Sequence, residues 1–280
     1  MQFVYSRSVI RASLPGFLSV SACLFFLLGT GVDAGQIGNP EDPIQVGWID
    51  SMNSKAYRDD LEMVLRKNLD IELVPYNLRS YADGRPDTIP EAYFDSLDAV
   101  IVSIEADKTF SYELGDSVTK FWESGKCVIV TMQSLHKPAL TGAWKDKKLG
   151  CLLPSATAES PSSLSFVDLT WGEHDKDSPL LEGVNSFQGS FRGTKLQVAD
   201  DCTLHASWSD GTPLVATHRE GRRVDLNFYP VTTVSGMTFY SEETDGGQLL
   251  RNAVYWCVGG GQQGENNNED QKEDASNDEL

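Results

Sequence analysis

Two stretches decide the fold: DAVIVSI at residues 98–104 and CVIVT at residues 127–131. Each is a short, continuous apolar run, without the alternating polar residues of a strand that has one wet face. Such runs read as parallel strands covered on both sides. Between them, Tyr112 to Glu123 places Leu114, Val118, Phe121 and Trp122 on one helical face, and Gly125 supplies the stop.

The preceding segments extend this unit. IQVGWI at residues 44–49 is a strand, and Ser54 to Asn68 is a helix with Tyr57, Leu61, Val64 and Leu65 on one side. IELVPY at residues 71–76 is a further strand, with Pro75 confining it to an edge or a strand end. A turn-rich loop at Tyr81 to Pro90 leads into a short helix near Ile89 to Leu97. Right-handed crossovers turn this order into a parallel sheet between helices.

Past residue 160 the pattern changes. Strands are expected at Ser163–Leu169, Phe191–Val198, Thr203–Trp208, Pro213–His218 and Arg223–Tyr229. Ser209-Asp210-Gly211 and Glu220-Gly221 are the hairpin turns. A helix from Asp245 to Val258, capped by Thr244 or Asp245, closes the domain. The expected fold class is α/β: a three-layer sandwich over residues 40–259, its mostly parallel central sheet extended by antiparallel hairpin strands.

The flanking segments read as an address. Residues 1–34 have the composition of a signal peptide: Arg7 and Arg11, an apolar run from Phe17 to Leu28, and small residues before Gly35. Residues 260–280 form an acidic tail expected to be disordered, with seven acids against Lys272 from Gly261 onward. The chain ends in Asn277-Asp278-Glu279-Leu280, a variant of the KDEL-type retention signal that a retrieval receptor reads. The expected location is the endoplasmic reticulum lumen, with secretion as the alternative.

Removing the signal takes the formal charge from −18 to −19. A surface so acidic repels nucleic acid and anionic lipid, so neither is expected as a partner. No membrane span is expected once the signal is cleaved.

The 280 residues contain five cysteines, of which Cys127, Cys151, Cys202 and Cys257 lie beyond the signal. An oxidising compartment makes them disulfide candidates, and sequence leaves their three pairings open. No CxxC pair occurs, so no redox motif or clustered zinc site is expected, and no cofactor. No Asn-x-Ser/Thr sequon occurs either.

Several segments taken together resemble a divergent class I glutamine-amidotransferase-like domain, a flavodoxin-type sandwich. They are D98-AVIVS, G125-KCVIVT, D177-SPLLEGV, A206-SWSDGTPLVA, R223-VDLNFYP and T244-DGGQLLRNAVYW. Catalytic members of that family carry a nucleophilic cysteine on a Gly-x-Cys-x-Gly turn after a central strand, where backbone N–H groups face the oxyanion. Here the chain leaves the corresponding strand as Met132-Gln133-Ser134-Leu135-His136, with neither cysteine nor glycine. The resemblance therefore implies the fold without amidotransferase chemistry.

Ligands of open α/β sheets settle at the carboxyl ends of strands, which makes Asp50, Glu105, Gln133 and His136 the candidate cleft. The function expected is a non-catalytic binding or scaffold module contacting another protein of the secretory pathway or a glycan. The alternative is a divergent hydrolase or transferase using Asp50, Glu105 and His136. Trp208, Phe228 and Tyr229 are read as a sugar-stacking platform or as hairpin packing. Trp171 to Asp175 reads as a solvated loop, and His205 and His218 as outward-facing positions on strands.

Overall fold

The computed structural model describes residues 40–51, 54–78, 89–104, 111–136, 140–155, 163–234 and 237–261. The signal, the acidic tail with its terminal tetrapeptide, and Glu105 lie outside the described residues.

In chain order the first half contains β1 (Ile44–Asp50), α1 (Lys55–Leu65), β2 (Ile71–Asn77), α2 (Glu91–Phe94), β3 (Ala99–Ser103), α3 (Ser111–Glu123), β4 (Cys127–Thr131) and α4 (Met132–His136). After them come α5 (Ala143–Asp146), β5 (Leu152–Pro154), β6 (Leu164–Ser165), β7 (Leu169–His174), β8 (Gln188–Gly189), β9 (Arg192–Gly193) and β10 (Leu196–Val198). The last elements are β11 (Cys202–Trp208), β12 (Pro213–His218), β13 (Arg223–Leu226), the short β14 (Thr233–Val234) and β15 (Met237–Thr238), and α6 (Gly246–Val258).

A nine-stranded sheet runs β2-β1-β3-β4-β13-β12-β11-β7-β8. Its first five strands are parallel, in the doubly wound order of flavodoxin-type sheets. The remaining four join antiparallel. The expected fold class is therefore the observed one, and Pro75 lies on β2, the strand at the parallel end.

Alternation within each central strand explains the continuous apolar runs. Ala99 and Ile101 of β3, with Cys127 and Ile129 of β4, join one core cluster under α1 and α6. Val100, Val102, Val128 and Val130 join a second cluster under α3 and α5. Because both faces are dry, every position of these strands is apolar up to Ser103 and Thr131, which are also buried. Fully burying one such Ile or Val contributes on the order of 1.5–3 kcal/mol.

The four cysteines form two bridges. Cys127 at the start of β4 is joined to Cys257 near the end of α6, with Cα atoms 5.4 Å apart. Cys151 is joined to Cys202 with Cα atoms 5.6 Å apart. The first bridge clamps the closing helix to the middle of the sheet. The second fixes the segment before β5 to the start of β11.

Three expectations are corrected in the antiparallel half. Trp171 to His174 is not loop but part of β7, where the Trp171 and His174 rings stack 4.1 Å apart. The single strand expected at Phe191–Val198 is broken into β9 and β10, with Lys195 between them at a φ of 56°. The side chain of Asp245 does not cap α6; it accepts the backbone N–H groups of Asn185 and Ser186 at 2.9 and 3.1 Å.

Candidate functional site

The carboxyl ends of β1, β3 and β4 lie side by side, with Asp50 in register with Ser103. The Ser103 and Thr131 hydroxyls are 2.8 Å apart. Asp50 is 3% exposed, and Gln133, in the first turn of α4, is 5% exposed. Of the expected cleft, these two side chains are brought to one end of the sheet and buried. His136 ends α4, and its side chain, like Glu105, lies outside what is described.

Asp50 meets an aromatic cluster through Tyr229. The Tyr229 hydroxyl donates to its Oδ1 at 2.8 Å. Tyr57 meets Tyr229 edge-on, and Phe239 packs against both. Burial pushes the Tyr229 phenol well above its ordinary range, and the Asp50 charge and the hydrogen bond to it add to the shift. The Tyr57 phenol is raised by burial first and then by the Asp50 charge. Tyr229 thus acts as a neutral donor to a buried carboxylate.

Ser134 stands where a nucleophile after β4 would be sought. Its Oγ accepts the Ile104 backbone N–H at 2.9 Å and faces the Val102 and Ile104 carbonyl oxygens at 3.2 and 3.3 Å. With 4% exposure, the hydroxyl is committed to stitching α4 to the end of β3. An activated serine needs a base at its proton and an open face for substrate. Here backbone carbonyls take the proton, and little of the residue is exposed.

Other expected features resolve into packing. Trp208, Phe228 and Tyr229 have no exposed surface, and Trp208 Nε1 donates to the Asn227 carbonyl at 3.2 Å. A sugar could not stack on them. His205 and His218 do not face outward: His218 is 6% exposed. His205 is half-buried between Ser178 Oγ at Nδ1 and Thr217 Oγ1 at Nε2, both at 2.8 Å. Among the described residues no group of three or more His, Cys, Asp or Glu could hold a metal ion.

Two buried constellations escaped the sequence. Asp60 accepts the Thr232 backbone N–H at 2.7 Å and its hydroxyl at 2.5 Å. Arg223 and Asp225 form a fully buried ion pair, with Asp225 also accepting the Cys151 and Leu152 N–H groups at 2.8 and 2.7 Å.

No family model matches the chain, and no curated protein matches it in sequence. Among solved structures it is similar to a ThuA-like protein from Parabacteroides merdae, with a TM-score of 0.56 at 12% identity, over 80% of this chain and 94% of that one. This likeness shows the fold. A GMP synthase component from Thermoplasma acidophilum matches with a TM-score of 0.48 at 17% identity, over 78% of this chain and 95% of that chain. The glutaminase domain of Trypanosoma brucei CTPS, with bound acivicin, matches at 0.45 and 6% identity, over 75% and 94%.

Among the described residues no helix is long and apolar enough to cross a membrane.

Proposed function

We propose that the chain is a non-catalytic binding or scaffold module of the endoplasmic reticulum lumen, built on an amidotransferase-like fold and contacting a protein or a glycan. The observation that supports this reading is the turn after β4. Met132 has no exposed surface, and Ser134 is spent on backbone hydrogen bonds. The one carboxylate at the end of β1 is likewise spent on Tyr229. Binding then falls to the outer surface, and retention to the terminal Asn277-Asp278-Glu279-Leu280 and its receptor.

The test pairs turnover with capture. The disulfide-bonded chain is assayed on glutamine, ester and glycoside substrates beside a His136→Ala variant, and is cross-linked to its neighbours in the lumen. The reading expects no turnover that distinguishes the two proteins, and one stoichiometric protein or glycoprotein partner. Turnover abolished by His136→Ala would replace it with the hydrolase alternative.

A further inference from the structure

A cavity of about 470 Å³ opens between the sheet face carrying Val130 and Arg223 and the cover formed by α5, β5 and β10. This size lies within the range of small-molecule sites. Leu140, Trp144 and Leu152 give it apolar walls.

Arg223 on its floor has no exposed surface. Its Nη1 is occupied, donating to Asp225 and to the Val224 carbonyl. Its Nε and Nη2 are buried without any acceptor among the described residues. These two nitrogens form one edge of the guanidinium, the fork that matches the paired oxygens of a carboxylate. Trp144, with the guanidinium carbon 4.5 Å from its ring centroid, holds that plane in place. Leaving two charged donors unmet costs stability, unless a ligand or water meets them.

The rim favours an anion. Lys145 and Lys148 line it and are exposed, and Asp200 and Asp201 line it too. Asp201 is already paired with Arg219 at 2.7 Å. With Asp225 offsetting Arg223, the two lysines outweigh the remaining Asp200. This local cationic excess sits on a chain of formal charge −18.

We propose that this cavity binds a small organic carboxylate, its oxygens on the Nε/Nη2 edge of Arg223 and its hydrocarbon body against Leu140, Trp144 and Leu152. Asp50 does not line this cavity, and Ser134, which does, keeps its hydroxyl on the Ile104 N–H and the Val102 carbonyl, so the inference goes beyond the binding-module reading. Failure here leaves that reading standing, and turnover through His136 would leave this site standing.

Hexanoate serves as the probe, titrated by calorimetry into the full disulfide-bonded chain, with hexanol and hexylamine in parallel. Saturable one-to-one binding of hexanoate is expected, with hexanol at least about tenfold weaker because it cannot take both donors. Arg223→Lys, which keeps the charge and loses the fork, should weaken hexanoate by about tenfold or more. The exposed double variant Lys145→Glu/Lys148→Glu leaves the core untouched and should weaken it several-fold, which keeps the test available if Arg223→Lys does not fold. No hexanoate binding, equal binding of hexanol (the result if water holds the edge), or an unchanged affinity in the rim variant would overturn the proposal.

Discussion

The Tyr229 hydroxyl donates to Asp50 Oδ1 at 2.8 Å, across 179 residues of sequence. The bond ties the segment after β13 to the end of β1 and converts a strand-end carboxylate into a structural acceptor. Removing only the donor leaves a buried carboxylate short of a partner. Tyr229→Phe should therefore lower stability by about 1–3 kcal/mol, read as a fall in the urea midpoint with an unchanged slope. Asp50→Asn, which keeps an acceptor oxygen, should cost less than Asp50→Ala.

Gly115 offers a test of sign. In an exposed helix interior, Gly→Ala stabilises by up to about 1 kcal/mol. A Cβ at Gly115 in α3 would lie 1.9 Å from the Thr141 carbonyl oxygen. Gly115→Ala should instead destabilise by about 1–3 kcal/mol, the cost of forcing packed elements apart. Thermal denaturation decides between the two.

The bridges make separate contributions. The Cys127–Cys257 bridge closes a loop of 130 residues, against 51 for Cys151–Cys202. Replacing Cys127 and Cys257 together by alanine should cost about 2–4 kcal/mol, mainly by freeing the unfolded chain. Non-reducing peptide mapping should recover these two pairs and no others.

Acid should weaken the fold through His205 and His218. Burial holds His205 below its ordinary value of 6.5, partly offset by Asp175. Burial, then the Arg223 charge, does the same to His218, against Glu220 and Asp201. With folded values below unfolded ones, the unfolded chain takes up protons first as the pH drops. Stability is complete above 6.5 and is lost as pH falls through that value toward the folded ones. Urea midpoints should be lower at about pH 5.5 than at about pH 7.5, and His205→Asn should flatten the difference.

The parallel half was legible because its physics is simple. A strand dry on both faces must be apolar throughout, and DAVIVSI and CVIVT are nearly so. The antiparallel half was harder to read. Leu169–His174 mixes Trp and His with Gly and Glu, and only pairing to β11 and β8 makes it a strand. Phe191–Val198 has strand composition, but the positive φ at Lys195 divides it. At the candidate site, the strand-end rule found Asp50 but not Tyr229, since nothing local joins residues so far apart. Arg223-Val-Asp225-Leu reads as alternation with one wet face. Both charged residues are instead buried, each supplying part of the other's environment.

The proposed binding module would carry no working nucleophile on the turn after β4. Intact-mass spectrometry of the native, disulfide-bonded chain after treatment with a fluorophosphonate measures this directly. An unmodified mass is expected. A stoichiometric adduct mapped to Ser134 would contradict it.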